Sequence, residues 1–186
     1  MTLQTQPVVT ELTQLLSTFQ QDLARLEVLP EDRLQHRPDT GGWNALECLE
    51  HLNRYAAFYL PELTRAIEKA PAAKHSTYRS GWLGNWFANL IRAEKAKPGK
   101  MKAPASKNPA GVPLDRSEVL DTFWTDLTQI QRLLAAATSK DWNAVRVPIS
   151  LSPWIRLNLG DVLRFYIHHL NRHRQQAIRA AGLPEM

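Results

Sequence analysis

Apolar positions recur at helical spacing in four long segments of the chain. In the first segment, residues 10–29, leucine and phenylalanine side chains fall on one stripe, with Gln, Asp and Arg between them. Comparable stripes run through residues 43–70, 118–138 and 158–180. A stripe of this period is typical of an amphipathic helix that packs one face on a core. The chain therefore predicts four long helices, the first of about five turns.

Helix-breaking and capping residues set the expected limits of these helices. Pro30 ends the first helix, and the Pro and Gly content of residues 31–42 predicts a loop. Pro61 falls inside the second helix and should kink or split it, because proline removes a backbone donor. Asn158 is placed to cap the fourth helix, and Asp161 can complete a capping box three residues later.

The connections between the helices differ in length and character. Residues 72–115 form an irregular insertion with one short helix expected between positions 80 and 93. Residues 145–151 can form a short extended piece, but Pro148 argues against a regular central strand. Long connections after the second and third long helices predict an all-α four-helix bundle, with residues 1–186 as a single domain.

The short helix carries an aromatic cluster that includes Trp82 and Trp86. We expect this cluster to pack over one end of the bundle, to form a subunit contact, or to act as a lid over a pocket, in preference to forming an interfacial membrane helix. The segment is too short to span a bilayer. We expect Trp82 or Trp86 to lie near a pocket mouth or a subunit contact.

Composition is that of a soluble globular protein, with 44 % apolar and 22 % charged residues. The single cysteine, Cys48, excludes an internal disulfide framework and fits a reducing compartment. It lies within a helical pattern, so we expect it to be buried. The N-terminus lacks the basic start and apolar run of a signal peptide, and no segment approaches about 20 apolar residues. These features predict a cytoplasmic protein.

The formal net charge is +5, and five lysines in one connecting stretch supply much of it: Lys95, Lys97, Lys100, Lys102 and Lys107. Such a cluster can contact phosphate or an anionic lipid surface, but it is more often a solvated loop. Aromatic residues are not interleaved with these lysines as they are in single-strand binders. We therefore expect neither a nucleic acid nor a membrane as partner.

Histidines supply the candidate chemistry. His169 and His173 stand four residues apart, so both imidazoles project from one face of the fourth long helix. Two such side chains can bind one metal ion, although one can equally be a hydrogen-bonded core residue and the other solvated. His51 borders the apolar stripe of the second long helix. It can join His169 and His173 if the second and fourth long helices are neighbours. His168 is rotated about 100° from His169 and is left outside the group.

Three protein ligands leave a coordination position open, as in catalytic metal sites. Glu47 lies one turn before His51. Its carboxylate can orient that imidazole or act as a base, and it can equally be a carboxylate on the helix surface.

Two segments resemble a known family. Residues 43–63, WNALECLEHLNRYAAFYLPEL, resemble the W-x-x-x-E-x-L-x-H-L helix of the DinB/YfiT-like superfamily, and residues 157–176, LNLGDVLRFYIHHLNRHRQQ, resemble its late H-x-x-R-H-x-x-Q helix. The resemblance covers nearly the whole chain. It implies a four-helix bundle, commonly a homodimer, with a metal centre whose ligands would be His51, His169 and His173. Zinc or nickel is the first expectation for the metal, with manganese and iron as alternatives.

The resemblance implies an enzyme less directly than it implies a metal. Family members include thiol-dependent transferases and hydrolase-like proteins. The first hypothesis is a metal-dependent enzyme that activates a thiol or water for transfer to, or hydrolysis of, a small molecule, with a low-molecular-weight thiol as a candidate partner. The alternative is a non-catalytic metal-binding or dimerisation module linked to stress response. Whether the chain is an enzyme stays open at this point.

Overall fold

A computed structural model describes residues 1–39, 41–92 and 103–185 of the protein. Its elements follow in the order β1 (Thr2–Gln4), α1 (Thr5–Glu27), α2 (Glu31–Gln35), α3 (Ala45–Lys69), β2 (Thr77–Arg79), α4 (Trp82–Ile91), a 3-10 turn (Ala105–Lys107), α5 (Arg116–Ala137), β3 (Arg146–Ile149), β4 (Ser152–Asn158) and α6 (Leu159–Ala180). The lysines expected in a solvated loop at positions 95, 97, 100 and 102 lie outside the described residues.

The four long helices α1, α3, α5 and α6 form the bundle. Helix α3 packs against α5 and α6, and α1 packs against the same two helices from the other side. Their apolar stripes face inward and fill the core with leucine, phenylalanine and tyrosine side chains. The predicted all-α four-helix bundle is confirmed, and so is the short extra helix in the connection between α3 and α5.

Two local predictions about the helices need correction. The sequence predicts a kink or a split at Pro61, and the split is wrong, because α3 runs unbroken from Ala45 to Lys69. Pro61 and Ala57 are both exposed, so water can satisfy the Ala57 carbonyl that loses its intrahelical donor. Residues 31–35, expected as loop, form α2 instead. Leu34 of this helix is fully buried, and the acidic first turn suits a helix N-terminus.

The start of α6 is held by a different set of bonds from the one expected. The Asn158 side chain accepts the Asp161 N–H at 2.8 Å, which confirms the predicted cap. The Asp161 carboxylate does not complete a capping box, which corrects the sequence prediction. It accepts bonds from the Ser80 hydroxyl at 2.6 Å and the Gly81 N–H at 2.9 Å, and thereby ties the beginning of α4 to α6.

Helix α4 packs closely on α6. A Cβ atom added at Gly84 would lie 2.2 Å from the Asp161 carboxylate, so the α4 backbone lies directly against the Asp161 side chain at a position that only glycine fits. The outer face of α4 carries Trp82 and Trp86, which are 83 % and 52 % exposed.

Two small antiparallel pairs complete the structure. Strands β3 and β4 form a hairpin with a register shift between Pro148 and Ile149. A two-stranded sheet has only edge strands, which explains why proline is tolerated there. Strand β1 pairs with β2, so the N-terminus is attached to the connection before α4. None of the helices in the described ranges has the length and hydropathy needed to cross a membrane.

Candidate metal centre

Helices α3 and α6 bring three histidines together in the core of the bundle. His51 comes from α3, and His169 and His173 come from α6. One ring nitrogen from each lies within 4.8 Å of the other two. The Nε2 atoms of His51 and His169 are 3.3 Å apart, which is roughly the separation of two nitrogens bound to one tetrahedral zinc ion at 2.0–2.1 Å. We call these three residues the histidine cluster.

Hydrogen bonds fix the orientation of two of these rings. His51 Nδ1 lies 2.6 Å from the carbonyl oxygen of Lys107, and His173 Nδ1 lies 3.0 Å from Gln176 Oε1. Both oxygens accept, so each Nδ1 carries the proton and donates it. The Nε2 atom of each ring is then left with its lone pair, which is the form that a metal-bound histidine takes. The donor set therefore fits a metal ion.

Burial keeps the histidine cluster neutral. Loss of solvation lowers the pKa of His51 to about 4. It also lowers the pKa values of His169 and His173 well below the ordinary histidine value, and the neighbouring imidazoles and Arg172 lower them further. At pH 7 all three rings are therefore uncharged, and neutral imidazole is the state that binds metal.

Aromatic rings pack around the histidine cluster. The Trp43 ring lies 4.5 Å from the His51 ring, and the Tyr55 ring lies 4.6 Å from the His169 ring. Phe165 stacks on His169 at 6.2 Å. His169 Nδ1 is buried without a hydrogen-bond partner in the part of the chain that the structure describes. Packing against Tyr55 and Phe165, together with the contact between its Nε2 atom and His51 Nε2, therefore holds this ring.

Glu47 is buried one turn before His51, and other groups occupy both of its carboxylate oxygens. One oxygen accepts the Asn44 N–H at 3.0 Å, completing a capping box at the start of α3. The other accepts a hydrogen bond from Arg37. The acceptor that His51 Nδ1 uses is the Lys107 carbonyl. A direct role of Glu47 as orienting group or base stays a prediction.

The remaining candidate residues lie apart from the histidine cluster. His168 is buried, and its Nε2 atom faces Glu11 Oε1 at 3.6 Å, towards α1. Cys48 is fully buried, as expected, and burial raises the pKa of its thiol. The tryptophan that contacts the histidine rings is Trp43. The expected position of Trp82 or Trp86 at a subunit contact stays a prediction.

The groups that orient the ligands were not predicted from the sequence. Gln176 stands three residues after His173 and is the last residue of the H-x-x-R-H-x-x-Q pattern, so that pattern contained a signal for it. Lys107 was expected in a solvated loop, which is wrong, because its ammonium donates to the Arg54 carbonyl. Its carbonyl contacts His51 through a backbone atom, and the amino-acid type carries no signal for such a contact.

Four long helices around three buried, neutral histidines define a helical-bundle protein that can bind a metal ion. The family model of the DinB superfamily matches residues 14–177. The chain therefore belongs to the DinB superfamily. No curated protein and no solved structure matches the chain.

Proposed function

We propose that the histidine cluster binds one divalent metal ion in this protein. The observation that carries the proposal is the convergence of three neutral imidazoles, two of which have Nδ1 bonded to an acceptor. Three nitrogen ligands suit zinc or nickel first, with manganese or iron as alternatives. Without a cation, the buried nitrogen lone pairs of the histidine cluster would lower the stability of the fold, because few hydrogen-bond donors are available to satisfy them.

We further propose that the protein is a metal-dependent enzyme that acts on a small molecule. A bound ion with an open position lowers the pKa of a thiol or water and presents it as a nucleophile at neutral pH. The surrounding residues supply the setting for that chemistry. Trp43 and Tyr55 form apolar walls against the imidazoles and exclude bulk water. The Lys107 ammonium, 5.4 Å from the centre of the Tyr55 ring, adds positive charge beside His51, which favours an anionic reactant.

A second candidate function is a non-catalytic metal-binding module, which dimerises as the family resemblance implies. Its supporting observation is burial: His51 is 2 %, His169 5 % and His173 9 % exposed, and aromatic rings contact all three. A site closed in this way would hold an ion without admitting a substrate. In either case the single buried thiol of Cys48 fits a reducing compartment such as the cytoplasm.

Cobalt substitution distinguishes the two functions. The full-length protein is loaded with Co²⁺ and its visible and near-ultraviolet absorption is recorded before and after addition of a small thiol. The enzyme hypothesis predicts a new thiolate-to-cobalt band and altered ligand-field bands. His173→Ala, carrying one ligand fewer, serves as the control for specific loading. A cobalt spectrum that no added thiol or azide changes would contradict an accessible open position and favour the non-catalytic module.

A further inference from the structure

The connection before α5 lies across α3 beside the histidine cluster. We call residues 103–114 the strap. Lys107 contacts α3 twice: its carbonyl accepts from His51 Nδ1 at 2.6 Å and its ammonium donates to the Arg54 carbonyl. Arg54 Nη1 in turn donates to the Asn108 carbonyl at 2.9 Å. Two neighbouring strap residues are thus bonded to a single turn of α3, and one of the bonds involves a candidate ligand.

The short contact to Lys107 determines the protonation of the His51 ring. A carbonyl oxygen cannot donate, so a lone pair on Nδ1 at 2.6 Å would face the oxygen lone pairs and be repelled. The docked strap is therefore compatible only with the proton on Nδ1. That tautomer leaves the Nε2 lone pair directed at the other histidines. Without the strap, the proton can move to Nε2 and form a hydrogen bond to His169 Nε2, 3.3 Å away, which removes His51 as a ligand.

We propose that the strap positions His51 for metal binding, so that docking of the strap and occupancy of the metal centre stabilise each other. Lys107 is the positioning residue: its carbonyl selects the tautomer, and its ammonium, held by Arg54 and by the Tyr55 ring, keeps that carbonyl in place. Reciprocity follows from thermodynamic linkage, because a contact that favours metal binding must itself be favoured by the metal. The inference rests on the proposed metal centre.

The tautomer can be measured without metal. A long-range ¹H–¹⁵N spectrum of the metal-free full-length protein reports which nitrogen of each histidine carries the proton, and His51→Gln assigns the signal of His51. We expect the Nδ1–H form alone in the wild type. Lys107→Ala should give a mixture of tautomers, and Lys107→Arg, which keeps the cation, should restore the single form. A His51 ring protonated at Nε2 in the wild type would overturn the proposal.

The linkage is tested by zinc affinity and hydrogen exchange. Arg54→Ala removes the bond to Asn108 and an ion pair with Glu50, whereas the control Arg65→Ala removes an ion pair alone, with Glu62, from the same helix. We expect Arg54→Ala to weaken zinc binding about tenfold, as loss of a group that orients a ligand does, and Arg65→Ala to leave it unchanged. Zinc should also slow amide exchange in residues 103–114.

The outcomes separate this inference from the proposed function. One outcome is that zinc binds without slowing amide exchange in the strap and with equal affinity for the Arg54→Ala and Arg65→Ala variants. That result would overturn the linkage but would still support the proposed metal centre. A wild-type protein that binds no zinc, nickel or manganese would overturn both.

Discussion

The hydrogen bond between His173 and Gln176 offers a direct test of how the ligands are held. Gln176→Leu keeps a side chain of similar size but removes the oxygen that accepts from His173 Nδ1 at 3.0 Å. The ring then loses the group that fixes its orientation, and its buried N–H loses its partner. We expect the variant to fold and to bind zinc more weakly.

The size of the effect follows from the burial of the two partners. Loss of a hydrogen-bonding group behind a metal-bound histidine typically lowers affinity about 10–100-fold, which is about 1.4–2.7 kcal/mol. His173 is buried, but Gln176 is only partly so, and water can replace part of the lost bond. We therefore expect a loss near the lower end, about tenfold.

The assay is competition for zinc with a chelator of known affinity, at fixed pH and ionic strength. Gln175→Leu is the matched control, since this neighbouring glutamine has the same class of exposure and no bond to the histidine cluster among the described residues. Gln176→Glu should bind zinc more tightly than the wild type, because a charged acceptor strengthens the bond. Equal affinity of the wild type and the Gln176→Leu variant would refute the reasoning.

Three further predictions concern the bundle. Asp22→Asn removes the charge that pairs with Arg174 between α1 and α6, where both residues are buried. We expect it to lower the free energy of unfolding, measured by urea titration, by about 3 kcal/mol. A loss below about 1 kcal/mol would be that of an exposed ion pair and would contradict this prediction. Gly84→Ala places a Cβ atom against the Asp161 side chain and should lower the free energy of unfolding by about 2 kcal/mol. The loss should appear as a lower midpoint of urea unfolding and as faster amide hydrogen exchange in α4. An unchanged midpoint of unfolding would contradict the close contact between Gly84 and Asp161. Burial raises the pKa of Asp126 from 3.8 to about 6, so its folded form holds the proton more tightly and stability falls as pH rises through that interval. Asp126→Asn should therefore raise the free energy of unfolding by about 1 kcal/mol at pH 7, after allowance for solvent contact, and leave it unchanged at pH 3. A difference in the free energy of unfolding between the two proteins that stays constant across that range would refute this prediction.

The long helices and the histidine cluster could be read from the sequence because their signals lie in side chains at regular spacing. Leu159 to Ala180 form one helix, as the stripe and the Asn158 cap predict. His169 and His173 share a face of any α-helix because they stand four residues apart, and only the adjacency of α3 and α6 had to be assumed for His51 to join them. The structure supplies that adjacency.

What could not be predicted depends on tertiary contacts or on backbone atoms. Asp161 is well placed for a capping box, yet bonds from Ser80 and the Gly81 N–H take its carboxylate when α4 packs on α6. The pairing of β1 with β2 joins segments far apart in the chain and too short to show a period. The Lys107 carbonyl is present in every residue type, so no pattern could indicate that it would contact His51.

The central claim is that this chain holds one metal ion between α3 and α6. The most direct measurement is elemental analysis of full-length protein purified without an affinity tag or added metal, with His51→Ala prepared in parallel and its helicity checked by circular dichroism. We predict about one ion per chain in the wild type and its loss from a variant that remains helical. Metal-free wild-type protein that takes up no zinc, nickel or manganese on dialysis, or a His51→Ala variant that retains the full amount, would contradict the account.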